Sequence, residues 1–401
     1  MVDEIEVCLV TLYYYPVLSG ATERFRRYVP KLLERGVKLH VMTIQHSDVP
    51  SHEIVDGIEI DRFPIASSDK DLSAALLHRV IEKWKTASRY PDILQIISHS
   101  IYGTPQVWRA RWMGIPCLNT ITMSPMNVTA ATTRIKVMIY QWIKNLPFNA
   151  LIASSSVVAE TLAGQGVSRS RIEIIPNGVD LQRFKPCDSK IQRNKIRFKL
   201  GFSEDDEILL FVGFVSSRKG VDVLLQAWPQ IIARRPKAYL LLVGPRHSHP
   251  IGYKNIDPAE KMFAEKVDAL ISNSPMPERI KFTGEVENVE DYLCIADVFV
   301  LPSRLEGFAN VVAEAMASGL PCILTPYQGL PEEFGNPGQE YILGSYDPDD
   351  LAESIVLLLE NQSKRDVIGR AARNWVEKNL DVEKSIDSFE LLYRRLMLTK
   401  L

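Results

Sequence analysis

Charge bias is nearly absent from this chain: 47 Lys and Arg against 49 Asp and Glu leave a formal charge of −2 over 401 residues. That balance excludes a globally basic nucleic-acid binder. Cysteine is scarce and unpatterned. The five residues Cys8, Cys117, Cys187, Cys294 and Cys322 are odd in number and form no Cys-x-x-Cys or Cys/His spacing. They imply neither a zinc site nor a disulfide framework. No apolar run reaches the length of a membrane span, and the start, MVDEIEVCLVTLYYYP, puts acids ahead of a short apolar stretch, which is wrong for a signal peptide. A cytoplasmic protein is expected. A G-x-G-x-x-G loop and a Walker lysine are also missing, so neither a standard dinucleotide loop nor a P-loop is supported.

What the chain does have is apolar material for two cores, with 46% hydrophobic residues and 24% charged. Short aliphatic runs alternate with longer segments of helical period: IEVCLVTLY, VKLHVMTI, DILQIIS, PCLNTIT and ALIAS in the first half. EILLFVGF, AYLLLVG, RIKFTGE, DVFVLPS and PCILTP follow after a polar stretch from Gln182 to Lys199. Runs of this kind are buried parallel strands joined by crossover helices. Two such series in tandem predict an α/β protein of two Rossmann-like domains, with parallel sheets facing across a cleft. The expected domains are residues 1–183 and 184–380, followed by a terminal segment 381–401 whose helix, near Val382 to Leu398, periodicity alone does not place.

The segment PSRLEGFANVVAEAMASGLPCILT, from Pro302 to Thr325, carries Glu306 and Glu314 eight positions apart across the start of an apolar helix. Gly307 can turn the chain into that helix, leaving Glu306 in the preceding loop and Glu314 about two turns on. Amides at the helix start can hold a diphosphate while the carboxylates take hydroxyl hydrogen bonds, which is the group set of a nucleotide sugar. Alone, an acid-bearing first turn is common for dipole reasons. Strand EILLFVGF runs into Val215-Ser216-Ser217-Arg218-Lys219-Gly220, where Arg218 and Lys219 can neutralise a diphosphate at a strand end. Alone, that loop would read as a solvated start to a helix.

Gly20, after Tyr13-Tyr14-Tyr15-Pro16, lets backbone approach a ligand. His99 and Thr122 end strand-like runs where doubly wound sheets place ligands, although a single histidine there is more often structural. Ile174-Ile175-Pro176-Asn177-Gly178-Val179-Asp180 reads as a connector. From Leu72 to Ala150 nine cations face two acids, and Arg134 to Lys144 mixes cations with aromatics, as a segment on an anionic membrane surface would. The favoured alternative buries Val137, Met138, Tyr140 and Ile143 as core.

Over nearly its whole length the chain resembles the retaining glycosyltransferases of the GT-B fold known as group 1 or family 4. The Pro16–Gly20 loop, Arg35-Gly36-Val37, IIPNGVD, VGFVSSRKGVDVLL, ADVFVLPS and EGFANVVAEAMASGLPCI carry the resemblance. It implies that Glu306 reaches the donor sugar hydroxyls and Glu314 the nucleotide ribose. The amides of Phe308, Ala309 and Asn310 would cradle phosphate and sugar, Lys219 would bind the diphosphate, and backbone at Val286 would contact the base. Gly20 would approach the phosphates, and the last helix would return to the first domain. Four departures stand out: Phe214 follows Gly213 where the family carries arginine, Thr122 stands for a histidine, Ser19-Gly20 for a double glycine and Ala309 for a glycine. Arg218 can substitute for the missing arginine.

The resemblance implies transfer of a hexosyl group from a nucleotide diphosphate sugar to an acceptor hydroxyl on a glycan, glycolipid or small molecule. It implies retention at the anomeric carbon, with no metal, no cofactor beyond the donor and no nucleic acid. Peripheral contact with the inner membrane face through the first domain is a further expectation. The alternatives are a catalytically weak nucleotide-sugar-binding protein, motivated by Thr122 and Phe214, and an epimerase or phosphorylase on the same fold.

Overall fold

The computed structural model describes residues 4–398 except 16–19, 47–48, 67–68, 70, 86–89, 98, 122–130 and 247–257. The chain divides into two compact units. Among the described residues, the first comprises 4–178 and 382–398, and the second 179–246 and 258–381.

The first unit is built on strands β1 (Ile5–Val10), β2 (Val37–Ile44), β3 (His52–Val55), β4 (Ile58–Phe63), β5 (Ile93–Ile97), β6 (Cys117–Ile121), β7 (Ala150–Ala153) and β8 (Ile172–Ile174). They lie in the order β3-β4-β2-β1-β5-β6-β7-β8, parallel throughout except for the edge pair β3–β4. Helices α1 (Gly20–Glu34), α2 (Leu72–Trp84), α3 (Thr104–Trp112), α4 (Ala131–Asn145) and α5 (Ser156–Gly164) make the crossovers. Side chains cap two of them: Asp71 accepts from the Ala74 amide at 2.9 Å and Ser155 from the Val158 amide at 3.3 Å. Strand order reverses at β1, which pairs with β2 on one side and β5 on the other. The C-terminal ends of β1 and β5 therefore form a switch point, where open α/β sheets take ligands.

The terminal helix, Val382–Leu398, belongs to this first unit. Val382, Ile386, Phe389, Tyr393 and Leu396 recur at helical spacing and join the same core as Phe25, Tyr28 and Val29 of α1. Each such side chain contributes about 1.5–3 kcal/mol when taken out of water. The Tyr393 hydroxyl donates to Gln95 Oε1 at 2.6 Å, and the Gln95 amide donates to Thr120 Oγ1 at 2.8 Å, so the helix is also keyed to β5 and β6.

The second unit is a parallel sheet of β9 (Glu207–Val212), β10 (Ala238–Val243), β11 (Ile280–Gly284), β12 (Val298–Leu301), β13 (Cys322–Leu324) and β14 (Ile342–Leu343), in the order β11-β10-β9-β12-β13-β14. Helices α6 (Lys190–Lys199), α7 (Val221–Arg234), α8 (Pro258–Ser272), α9 (Val289–Ile295), α10 (Asn310–Ala317), α11 (Pro348–Glu360) and α12 (Gln362–Asn379) accompany it. Its strands are apolar on both faces because helices cover both, and Trp228 of α7 is fully buried. The switch point lies between β9 and β12.

The polar stretch before β9 holds α6, capped by Ser189 and anchored by a buried arginine. Arg197 donates to the carbonyls of Glu204, Asp206 and Ile295 and pairs with Asp297 Oδ2 at 2.8 Å. Cys187 and Cys294, with Cα atoms 5.3 Å apart, are joined as a disulfide. That pairing corrects the reading of five unconnected cysteines, and 107 residues of separation gave no sequence signal for it. Among the described residues, no helix is long and apolar enough to cross a membrane.

Candidate functional site

In the second unit, the loops leaving β9 and β12 carry Arg218, Lys219 and Glu306. Glu306 is 6% exposed and Lys219 9%. Lys219 Nζ lies 2.7 Å from Glu306 Oε1, Arg218 Nη1 lies 2.8 Å from Oε2, and the Ser303 hydroxyl donates to Oε1 at 2.7 Å. Burial opposes both charges. It lowers the Lys219 ammonium from its ordinary value despite the neighbouring carboxylate. Burial alone would raise Glu306, but Lys219 and Arg218 outweigh it and hold the carboxyl below its ordinary range.

The two loops brace one another. The Arg304 amide donates to the Arg218 carbonyl at 2.8 Å, and Arg218 Nη1 donates to the Leu305 carbonyl at 2.8 Å. Arg304 also pairs with Asp222 Oδ1 at 2.9 Å, and Lys266 takes Asp222 Oδ2 at 2.8 Å. Gly220 has φ +67°, and a Cβ there would overlap the Pro302 carbonyl oxygen. Only glycine allows the Arg-Lys loop to sit this close to the end of β12. Gly329 meets the Glu306 carbonyl in the same way. Sequence reading singled out none of Ser303, Arg304, Asp222, Lys266 or Gly329. Ser303 acts on Glu306 three positions on, whereas Arg304 and Lys266 meet Asp222 82 and 44 positions away, and only Gly329 carries a local signal.

Helix α10 begins at Asn310 rather than at Gly307, because Phe308 packs into the core with its ring 5.0 Å from that of Phe334. Glu314 is therefore one turn inside α10, buried at 8% exposure, and Ala309 is the residue before the helix. Val286 follows β11, half-buried against the same core. Lys219, Arg218, Glu306, Phe308, Ala309, Asn310, Glu314 and Val286 thus all stand on loops or helix starts that follow strands of the second unit.

In the first unit Gly20 is the first residue of α1. Thr122 lies outside the described residues. His99, following β5, is buried, its Nε2 3.3 Å from Thr104 Oγ1 and its ring 5.0 Å from Phe148. Burial, with help from Lys144, pushes it down to about 3, so it is a neutral, packed imidazole at ordinary pH.

The core reading of α4 is corrected. Met138, Tyr140 and Ile143 are exposed, as are Ile139 and Trp142, and Val137 is only half-buried. The buried face is polar instead: Asn145 donates to Gln141 Oε1 at 3.4 Å and accepts from Asn119 of β6 at 3.2 Å. Satisfying that buried amide pair turns the apolar side chains outward. Arg134 belongs to α4, but its side chain lies outside the described residues.

Two doubly wound parallel sheets, one with a buried cation–carboxylate cluster at its switch point, define the class as tandem Rossmann-like α/β. Comparison with known proteins narrows the class to a family. Residues 192–375 match the family described as glycosyl transferases group 1, and residues 18–183 match glycosyltransferase family 4. A GDP-mannose-dependent monoacylated alpha-(1-6)-phosphatidylinositol monomannoside mannosyltransferase of Corynebacterium glutamicum is 31% identical over 52% of this chain and 52% of its own. The matched region spans about half the length of the first curated relatives. Among solved structures, sucrose-phosphate synthase from Thermosynechococcus elongatus aligns with TM-score 0.80 at 22% identity, over 99% of this chain and 100% of its own. An Anabaena protein solved with UDP and glucose aligns with TM-score 0.74 at 16% identity, over 98% and 100%. The chain belongs to the group 1 / family 4 glycosyltransferases and has their GT-B fold.

Proposed function

We propose that this chain transfers a hexosyl group from a nucleoside diphosphate sugar to an acceptor hydroxyl with retention at the anomeric carbon. The observation that carries the reading is the buried Glu306 held between Lys219 and Arg218 at the β9/β12 switch point. An ionised, desolvated carboxylate is a strong acceptor for sugar hydroxyls, and its two cations are already in place for a diphosphate. Glu314, one turn into α10, takes the ribose hydroxyls. The amides of Phe308, Ala309 and Asn310 at the helix start receive phosphate and sugar oxygens, and backbone at Val286 meets the base.

In the reaction, the bond from the anomeric carbon to the phosphate oxygen breaks and the acceptor oxygen bonds to the same face. The acceptor proton passes to the leaving phosphate oxygen. Lys219 and Arg218 stabilise the charge that develops on the departing diphosphate, so positioning and charge supply the rate without a metal ion.

The acceptor we propose is a lipid-borne hydroxyl, reached from the cytoplasmic face of a membrane. Helix α4 turns Ile139 (54% exposed), Trp142 (53%) and Ile143 (42%) outward beside exposed Lys136, a combination suited to an anionic interface. Co-sedimentation with anionic liposomes that persists after Ile139→Ser, Trp142→Ser and Lys136→Gln would remove this part of the reading.

The main test is a chelator-treated panel of UDP-, GDP- and ADP-sugars, read by thermal shift and by release of nucleoside diphosphate over time. One donor is expected to stabilise the protein and be slowly hydrolysed, and Glu306→Gln to abolish the hydrolysis. Stabilisation without turnover, even with lipid and sugar acceptors present, would favour a binding protein instead.

A further inference from the structure

On the first unit's sheet, β-sheet register assembles a set of metal-ligand side chains. His40 on β2 pairs with Glu59 on β4, and His52 on β3 pairs with Asp61 on β4. Side chains two apart on a strand share a face, so Glu59 and Asp61, with their partners, project to one side of the sheet. His40 Nε2 lies 2.7 Å from Asp61 Oδ2 and 3.9 Å from Glu59 Oε1, and His52 Nδ1 lies 3.0 Å from Asp61 Oδ1. The ligand atoms of His40, Glu59 and Asp61 fall within 4.8 Å of one another.

We propose that His40, Glu59 and Asp61, with His52 as the fourth donor, form a binding site for a zinc-class divalent cation. Zinc bonds of about 2.0–2.2 Å set tetrahedral ligand atoms roughly 3.3 Å apart. The separations of 2.7 and 3.9 Å bracket that value, so small side-chain shifts seat an ion between His40, Glu59 and Asp61, and His52, on the other Asp61 oxygen, turns in from outside that group to close the tetrahedron. Two imidazole nitrogens and two carboxylates suit zinc, cobalt or nickel over the harder magnesium and calcium.

In the metal-free protein the seat is taken by an ammonium. Lys83, from α2, contacts the same Asp61 Oδ2 that His40 contacts. Its side chain is 45% exposed and can withdraw into water. Replacing it with a divalent ion leaves two carboxylates against two positive charges, a neutral set. Lys83 and the metal are therefore alternative occupants. Three strands contribute donors, so a bound ion ties the edge pair β3–β4 to β2 and stabilises the unit by mass action.

The test is titration of the chelator-stripped full chain with zinc and with cobalt, read by calorimetry, by cobalt's visible absorption and by melting temperature. One ion per chain is expected, with tetrahedral cobalt colour and a raised melting temperature. His52→Ala and Glu59→Gln, both at half-exposed positions, are each expected to weaken binding by about tenfold or more, as loss of a ligand or its close partner does. Lys83→Met is expected to tighten it. No stoichiometric binding, or affinity unchanged in the His52→Ala/Glu59→Gln double variant, would overturn the site and leave Asp61 as a hydrogen-bond hub. Unaltered affinity in Lys83→Met would overturn the exchange of ammonium for metal.

Discussion

Glu306 can be tested so that its structural and chemical contributions separate. Its side chain is 7% exposed and touches Lys219, Arg218 and Ser303, all within 2.8 Å. Breaking a buried ion pair by removing one partner costs roughly 3–5 kcal/mol, because a charge is left buried and uncompensated. In Glu306→Gln the stranded charge is mainly Lys219, whose side chain is 11% exposed, since Arg218 at 37% can turn to water. A loss near the low end, about 3 kcal/mol, is expected, or a melting shift of about 6–12 °C for a unit of this size. Lys219→Met leaves Glu306 with Arg218 and Ser303 and costs less, about 1–2 kcal/mol. The double variant buries no stranded charge, so its loss is expected to stay near that of Lys219→Met, giving a coupling of about 3 kcal/mol. Turnover behaves differently: all three variants are expected to fall by about a hundredfold or more, with no recovery in the double. The assay pairs calorimetric melting without donor with nucleoside diphosphate release at saturating donor. Additive stability losses would refute the coupling, and turnover in Glu306→Gln within about tenfold of the parent would refute the role of the carboxylate.

Further outcomes follow from other parts of the structure. Gly220→Ala is expected to cost on the order of 3 kcal/mol and to lose donor-induced thermal shift, since a Cβ there meets the Pro302 carbonyl; an unchanged melting temperature would contradict the packing of the two loops. Glu306 is held below its ordinary carboxylate range, so its stabilising share is present above the unfolded value of about 4.3 and is lost as pH falls through the lower folded value. The melting gap between parent and Glu306→Gln is therefore expected to be constant from neutral pH down to about 5 and to narrow at stronger acid. Under denaturing, non-reducing conditions the air-oxidised protein is expected to present three thiols, from Cys8, Cys117 and Cys322, and five after reduction; five without reductant would show Cys187 and Cys294 unjoined.

The sheets were legible because parallel strands covered on both faces are apolar almost throughout, so EILLFV, AYLLLV and VFVL announce themselves. The loops bearing Arg218, Lys219 and Glu306 were legible because each follows such a strand. Helix α6 was hidden by its polarity: its anchor is a buried arginine satisfied by the nearby Glu204 and Asp206 carbonyls and, 98 and 100 positions away, by the Ile295 carbonyl and the Asp297 carboxylate, which no hydrophobic period reports. In α4 the period misled, since Gln141 and Asn145 face inward to meet Asn119 and the apolar side chains face out. The bracing of Arg304 on Asp222 spans 82 positions and was invisible for the same reason.

Phe214 gives the sharpest question about how far the site can be rearranged. The family pattern puts an arginine directly after the glycine at Gly213, and this chain has phenylalanine there. Arg218 reaches Glu306 Oε2 from the other end of the same loop, held by its own bond to the Leu305 carbonyl. If the reaction needs a second cation beside the diphosphate rather than one at a fixed backbone position, Arg218 carries the charge that Phe214 lacks. Arg218→Ala is then expected to lower turnover by about a hundredfold with a small change in stability, because its half-exposed guanidinium leaves little buried charge unbalanced. Adding Phe214→Arg to that variant is expected to recover most of the loss. Recovery would mean that charge, wherever the loop delivers it, is what the departing diphosphate requires. No recovery, with donor-induced thermal shift intact, would assign Arg218 to bracing the Glu306 loop rather than to the diphosphate.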